Sequence, residues 1–157
     1  MDLCLDVEDY KVNIRAGGVI IHNNKVLTHK SINKDHYALP GGRIEVGENS
    51  KETIRREIRE ELGKEIEVQD YLATVENFFI MNDKKYHELY FLYQIEFKNE
   101  EDKKITETMK NLEGKDYLHY EWIDLKDIDQ YNLLPACLKD VLKNKKFPVH
   151  LINDELN

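Results

Sequence analysis

The sequence is poor in the residues that mark secreted, membrane-spanning or multidomain chains. Its two cysteines, Cys4 and Cys137, form no Cys-x-x-Cys pair, which excludes a thiol-based metal or redox motif of that kind. Three prolines and seven glycines in 157 residues leave no Pro- or Gly-rich linker, so one domain over residues 1–157 is expected. No apolar run approaches the roughly 18 residues of a membrane-spanning helix.

Basic charge is also scarce. Lys and Arg number 23 against 31 Asp and Glu, a formal net charge of −8. A protein that binds nucleic-acid polymers or anionic membranes would carry a basic surplus, so neither partner is expected, whereas a small anionic ligand is not excluded. The first nine residues hold four acids, unlike a signal or transit peptide. We therefore expect a cytoplasmic protein with reduced thiols; its oligomeric state is open, a homodimer included.

Apolar and β-branched segments separated by turn clusters indicate a mixed α and β domain. The pattern predicts a hairpin of strands over residues 13–21 and 25–30. A second hairpin is predicted over 66–80 and 86–97, and a short strand over 120–123. Residues 99–114 are expected to form a loop, and a helix is expected to open at Pro135. The tail from Phe147 is unassigned. Such a mixture favours an α+β fold with αβα layers.

Residues 49–63 carry the signals of an amphipathic helix. Asn49 is a good N-cap and Glu52 follows three residues later, as in a capping box, while Gly63 is a suitable stop. The apolar positions recur every four residues and predict one buried stripe; they are Ile54, Ile58 and Leu62.

The same helix gathers three carboxylates beside its apolar stripe. Glu57, Glu60 and Glu61 are spaced i, i+3, i+4, so their side chains share one strip of the surface. Each like-charge pair at that spacing costs about 0.2–0.5 kcal/mol, and a hard divalent cation such as Mg²⁺ would reverse that cost. The alternative for the helix alone is a solvated charged face, since arginines are interspersed.

The wider spacing resembles the Nudix box, G-x5-E-x7-R-E-U-x-E-E-x-G-U, where U is a bulky aliphatic residue. Residues 42–64 match it at seven fixed positions and at the first U, Ile58. Seven chance matches have odds on the order of 10⁻⁸ per starting point. The last U is Lys64, a departure that we expect to matter little if Ile66 supplies the apolar contact. The matching positions are Gly42, Glu48, Arg56, Glu57, Glu60, Glu61 and Gly63.

The resemblance implies a Nudix-type α/β/α sandwich around a mixed sheet and a pyrophosphohydrolase that uses Mg²⁺ or Mn²⁺. It implies that Glu57, Glu60 and Glu61 hold the metals, with the Gly41 carbonyl as a further ligand. Arg56 and Glu48 would then be a pair that orients these ligands, although a surface role for Glu48 is the alternative. The general base is left open among five acids, any of which could instead be a surface residue: Glu57, Glu61, Glu113, Asp116 and Glu121.

Substrate contacts are expected from both strands and loops. Arg15 and Arg43 are candidates to bind phosphate, and Tyr37 and Phe78 to stack on a base, with core packing as the alternative for the aromatics. Two acids in apolar strands, Glu76 and Glu88, are expected to line the cleft or else to face solvent. The histidines are not expected to bind the metal, because the family site is built from oxygen.

The leading hypothesis is therefore a hydrolase. A metal-activated water would cleave a diphosphate bond in a nucleoside diphosphate linked to another moiety. A catalytically silent Nudix domain that binds nucleotides as a sensor or interaction module is the alternative, and an acidic structural protein is a third. The box binds the diphosphate and metals and not the variable moiety, so substrate identity is open beyond a small nucleotide-type diphosphate.

Overall fold

Two β-sheets and two α-helices make up the chain, which the computed structural model describes over residues 1–157. The strands are β1 (Cys4–Val7), β2 (Tyr10–Val19), β3 (Ile21–His22), β4 (Lys25–Ser31), β5 (Tyr37–Ala38), β6 (Gly41–Arg43), β7 (Ile66–Met81), β8 (Lys84–Phe97), β9 (Met109–Lys110), β10 (Leu118–Asp124) and β11 (Val149–Asp154). The helices are α1 (Ser50–Leu62) and α2 (Leu138–Asn144), with 3₁₀ turns at Asp102–Lys104 and Leu125–Gln130. No helix is both long and apolar enough to cross a membrane.

The larger sheet is mixed, as predicted. Its strand order is β1-β2-β8-β7-β11, and β6 also pairs with β2. The β2–β8 and β7–β11 pairs are parallel, and the other pairs are antiparallel. The smaller sheet has the order β3-β4-β10-β9, with β5 on β4. Because β6 lies against β2, the loop that leads into α1 is fixed to the middle of the larger sheet.

The two helices cover opposite faces of the larger sheet, which confirms the predicted α/β/α layers. The apolar stripe of α1 packs with Ile95 and Phe97 of β8, while α2 shares a second core cluster with Leu92 of the same strand. Successive side chains of a strand point to opposite faces, so an odd spacing from Leu92 to Ile95 puts the helices on different sides. Both faces of β8 contribute to the core, with Tyr90 and Leu92 buried on one side and Ile95 and Phe97 on the other.

The first hairpin differs from its prediction. Both turns form where predicted, at Asn23-Asn24 and Asn82-Asp83, with left-handed φ values between 49° and 61°, which Asn and Asp tolerate best among non-glycine residues. However, within the predicted strand over 13–21 only Ile21, which belongs to β3, pairs with β4, because the chain leaves the larger sheet after Val19. The predicted strand over 13–21 is mostly β2, whose partner is the distant β8.

Two corrections concern the C-terminal part. The second helix begins at Leu138 and not at Pro135; its predicted apolar face, Leu138, Val141 and Leu142, is buried. The unassigned tail contains β11, which pairs in parallel with β7. Parallel partners lie far apart in sequence, so no turn signal next to β11 indicated the pairing.

Candidate active site

Local signals set both ends of α1. The Asn49 side chain accepts hydrogen bonds from the backbone N–H groups of Lys51 and Glu52, each at 3.1 Å. The Glu52 carboxylate accepts one from the Asn49 N–H at 3.1 Å, which completes the predicted capping box. Gly63 ends the helix in the left-handed conformation. With its apolar stripe buried, α1 presents the adjacent carboxylate strip beside β6.

Glu48 and Arg56 form the predicted pair in front of this strip. Arg56 Nε and Nη2 each donate to a different Glu48 oxygen at 2.9 Å, and the Thr53 hydroxyl donates to Glu48 at 2.7 Å. Hydrogen bonding from Arg56 lowers the pKa of Glu48 to about 2. Arg56 Nη2 also donates to the Arg43 carbonyl at 3.1 Å, so the pair ties α1 to β6.

Arg56 also reaches two of the predicted metal ligands. Its Nη1 donates to Glu57 at 2.9 Å and to Glu60 at 3.4 Å. Glu60 is half-exposed, whereas the Glu57 side chain is only 15% exposed, and burial raises the pKa of Glu57. Arg56 therefore orients both carboxylates and offsets the repulsion between them.

Gly41 and Gly42, the two glycines of β6 before α1, have different structural roles. A Cβ at Gly42 would lie 2.2 Å from Glu57 Oε1, so only glycine leaves space for that carboxylate. A Cβ at Gly41 would lie 2.1 Å from the Ala16 carbonyl oxygen, and its φ of +149° also disfavours other residues. Gly41 thus lets β6 approach β2, while Gly42 leaves room for the Glu57 side chain of α1.

Glu61 is the buried member of the strip, with 7% of its surface exposed. The Tyr120 hydroxyl of β10 donates to its Oε2, and burial raises the pKa of Glu61 to about 7. The Leu112 N–H donates to the Glu61 carbonyl at 2.8 Å, which docks the loop before β10 on the helix. Besides burial, the charge of Glu113 in this loop makes a smaller contribution that raises the pKa of both Glu57 and Glu61.

The carboxylates of Glu57, Glu60 and Glu61 suit a hard cation, but in this conformation they do not converge on one point. No group of three or more His, Cys, Asp or Glu side chains is arranged to hold a metal ion. Arg56 lies between Glu57 and Glu60, and Tyr120 binds Glu61. All three side chains offer carboxylate oxygen, the ligand type of Mg²⁺. The Glu57 carboxylate lies beside β6 in the space that Gly42 leaves open. The residues present therefore fit a divalent cation.

Arg15 and Glu88 come together on the face of the sheet opposite α1. Arg15 Nη1 is 3.9 Å from Glu88 Oε2, and its guanidinium lies 5.7 Å from the centre of the Tyr90 ring. Glu88 is 3% exposed and accepts hydrogen bonds from Asn13 at 2.7 Å and Asn77 at 3.2 Å. No protein acceptor lies within hydrogen-bond distance of Arg15, so its donors remain free for a ligand.

Other predicted substrate residues lie elsewhere. The Arg43 guanidinium is 3.6 Å from Asp2, and only the Arg43 carbonyl reaches the site. Phe78 packs against His87, with 4.5 Å between ring centres. Because its neighbour Asn77 contacts Glu88, Phe78 must point to the other face. The structure therefore does not bring Phe78 together with Arg15 and Glu88.

Two further candidates occupy separate surroundings. Tyr37 is in the smaller sheet, where it packs edge-on against Tyr131 and lies under the Lys30 ammonium, 5.0 Å from the ring centre. It forms an aromatic platform apart from Phe78. Glu76 contacts His150 at 2.7 Å on the exposed side of the sheet, which agrees with the solvent-facing alternative.

At Lys64, where the Nudix box has an aliphatic residue, other contacts take over the role of that residue. Lys64 Nζ donates to Asp102 at 2.7 Å, and both side chains are about one-fifth exposed. Ile66 is fully buried in the core beneath α1. An ion pair to the 3₁₀ turn and the burial of Ile66 thus fix the end of the helix in place of an aliphatic residue.

A pocket of about 670 Å³ lies away from this site. It lies between the end of β2, the bulged part of β7 and the α2–β11 connection, with Tyr71, Leu72 and Phe147 in its wall. It contains a single acid, Asp70, and cannot supply the carboxylate cluster that phosphate chemistry with a cation needs. The convergent polar groups at α1 are therefore the better candidate site.

Sequence reasoning missed several residues that hold the site together. Thr53, Asn13 and Asn77 support Glu48 and Glu88, while Tyr120 contacts Glu61. Apart from Thr53, they lie on strands far from their partners in sequence. Only the unusual presence of amides in apolar strands hinted at Asn13 and Asn77.

Comparison with known proteins assigns the family. The NUDIX domain model matches residues 12–144. An 8-oxo-dGTP diphosphatase from Buchnera aphidicola subsp. Schizaphis graminum is 28% identical over 119 residues, covering 73% of this chain and 79% of that protein. An RNA pyrophosphohydrolase from Ruthia magnifica subsp. Calyptogena magnifica is 33% identical over 85 residues, covering 53% of this chain and only 46% of that relative.

The fold agrees with this assignment. The crystal structure of a NUDIX hydrolase from Nitrosomonas europaea superimposes with a TM-score of 0.63 at 18% identity, covering 91% of this chain and 79% of that one. The chain therefore belongs to the Nudix family. The family and the fold predicted from sequence are both confirmed.

Proposed function

We propose that the chain is a pyrophosphohydrolase that cleaves a diphosphate bond in a nucleoside diphosphate linked to another moiety, with water as the nucleophile. The observation that carries the proposal is the strip of Glu57, Glu60 and Glu61 beside Gly42, oriented by the Glu48–Arg56 pair. Every box carboxylate is present. A catalytically silent domain is the weaker candidate, because it has no need of this set.

Glu57, Glu60 and Glu61, with the Gly41 carbonyl, would hold Mg²⁺ or Mn²⁺. A bound divalent cation supplies an activated water and neutralises charge on the phosphoryl oxygens. Arg56 contacts both Glu57 and Glu60, so it would hold the two carboxylates in place and offset the repulsion between them. Glu48 in turn keeps Arg56 in place through its two short hydrogen bonds.

Arg15 is the phosphate-binding residue in this proposal. Its side chain is 29% exposed, and its guanidinium is free of protein acceptors and lies 3.9 Å from the buried Glu88 carboxylate. A planar guanidinium can bind two phosphate oxygens at once. Glu88 limits the rotation of Arg15, so the substrate meets a donor that is already oriented.

Glu113 is the acid that we propose as the general base. It is one-third exposed, forms an ion pair with Lys115 at 3.0 Å and belongs to the loop docked on Glu61. Among the other candidates, Glu121 contacts His119 at 2.8 Å, and Glu61 already accepts from Tyr120. Glu113→Gln should lower kcat while leaving Mn²⁺ affinity unchanged; an unchanged kcat would assign the base elsewhere.

The substrate class is a small nucleotide-type diphosphate. The activities named for the two relatives, on 8-oxo-dGTP and on RNA, support phosphoanhydride chemistry without choosing between such substrates. Tyr37 is the stronger candidate for base stacking in this proposal, because Phe78 packs against His87 and lies on the opposite face of the sheet from Arg15. A homodimer stays a prediction, which sedimentation velocity of the purified chain would decide.

Phosphate release from a panel of nucleotides tests the proposal. Hydrolysis should require Mg²⁺, stop with EDTA, and fall at least about 100-fold in Glu60→Gln and Glu61→Gln. The matched control is Glu67→Gln, an exposed glutamate of β7, which should keep full activity. Nucleotide binding without hydrolysis of any nucleotide or nucleotide-sugar in the panel would favour the silent domain, and activity in EDTA would refute metal dependence.

A further inference from the structure

Tyr120 joins the catalytic helix to the smaller sheet. Its ring is fully buried in the core cluster beneath α1, and its hydroxyl donates to Glu61 Oε2 across 59 residues of sequence. No protein donor contacts Glu61 Oε1. A buried carboxylate is costly unless it accepts hydrogen bonds, and this hydroxyl is the donor that the fold provides. The contact therefore fixes which Glu61 oxygen faces the core and which stays free.

The Tyr120 hydroxyl makes a single hydrogen bond to the protein. A tyrosine hydroxyl has one proton to donate, and Glu61 Oε2 is its only protein acceptor. The neighbouring loop is held separately, because Asn111 is 5% exposed and its Oδ1 accepts a hydrogen bond from the Glu113 N–H at 2.8 Å, while its Nδ2 is buried without a partner. Tyr120 is therefore the side chain that orients Glu61.

We propose that Tyr120 is a positioning residue that holds the Glu61 side chain in one rotamer and leaves Oε1 as the oxygen presented to a divalent cation. This inference rests on the proposed function. Nothing in the box itself specifies the contact, because the box ends at Lys64 and Tyr120 belongs to β10 of the smaller sheet.

Tyr120→Phe is the direct test, because it removes one oxygen and keeps the buried ring. The Mn²⁺ dissociation constant, from isothermal titration, should rise about 10- to 100-fold, as for other residues that orient metal ligands. The kcat should fall by a similar factor with little change in the substrate KM. Tyr120→Met, which also lacks the hydroxyl, should move the same quantities in the same direction. The matched control is Tyr86→Phe, a buried tyrosine stacked on Phe79, which should change neither.

The outcomes separate this inference from the proposed function. A wild type that neither binds Mn²⁺ nor hydrolyses any nucleotide refutes the proposed function. A wild type that does both, with Tyr120→Phe indistinguishable from Tyr86→Phe, overturns the positioning role alone. Thermal melting of each variant shows whether it folds. If Tyr120→Phe does not fold, Tyr120→Met decides, because it also lacks the hydroxyl and methionine adapts to irregular core space; an unchanged Mn²⁺ affinity in that variant overturns the inference.

Discussion

The Glu48–Arg56 pair can be tested by replacing Glu48 with glutamine, which keeps the shape of the side chain and removes its charge. Glu48 makes two 2.9 Å hydrogen bonds with Arg56 and one of 2.7 Å with Thr53. Its side chain is 16% exposed and that of Arg56 is 23% exposed, so solvent screens the pair much less than a surface ion pair. We expect Glu48→Gln to destabilise the fold and to disorder the Arg56 contacts to Glu57.

The size of the effect follows from the pKa of Glu48, which falls from an ordinary 4.5 to about 2. Since each tenfold change in an equilibrium constant is worth about 1.4 kcal/mol, this corresponds to about 3 kcal/mol of unfolding free energy at pH 7. A lowered pKa in the folded state gives stability that is complete above pH 4.5. The contribution is lost as the pH falls toward 2, with roughly half or less remaining near pH 3.

Urea unfolding of wild type and Glu48→Gln at pH 7, 5 and 3 measures this difference. The gap should be about 3 kcal/mol at pH 7 and 5 and should shrink at pH 3. The control is Glu65→Gln, which breaks an exposed bidentate pair with Arg59 at 2.7 and 3.1 Å and should change stability little. A gap below about 1 kcal/mol at pH 7, or one that does not vary with pH, would refute the argument.

Three further substitutions address the site and its supports. Gly42→Ala should abolish most activity at little cost in melting temperature, because the new Cβ meets the Glu57 carboxylate, a flexible side-chain end; full activity would contradict that placement. A double-mutant cycle of Lys64→Met and Asp102→Asn should show a coupling of roughly 0.5–1 kcal/mol in unfolding free energy, and no coupling would mean that the ion pair does not fix the helix end. Arg15→Lys should raise the substrate KM about tenfold, because an ammonium lacks the bidentate geometry; an unchanged KM in steady-state assays would remove Arg15 from the substrate site.

Local sequence signals were sufficient to predict α1 and both hairpin turns. Asn49, Glu52 and Gly63 act on backbone groups within one turn of themselves, so their identities set the bounds of α1 wherever it packs. The spacing of the three glutamates likewise follows from helix geometry alone. Residues 42–64 therefore predicted the family, the helix and the carboxylate strip before any long-range contact was known.

The tertiary structure decided what surrounds that strip. The parallel pairing of β2 with β8 and of β7 with β11 joins segments without a connecting turn, so no local pattern specified it. The parallel β2–β8 pair brings Arg15 beside the buried Glu88, whereas the antiparallel β7–β8 register turns Phe78 to the other face of the sheet. The contact between Tyr120 and Glu61 likewise exists only because the smaller sheet packs under α1. The sequence by itself determined which groups are available for the chemistry, and long-range packing determined which of them are buried, oriented and free to act.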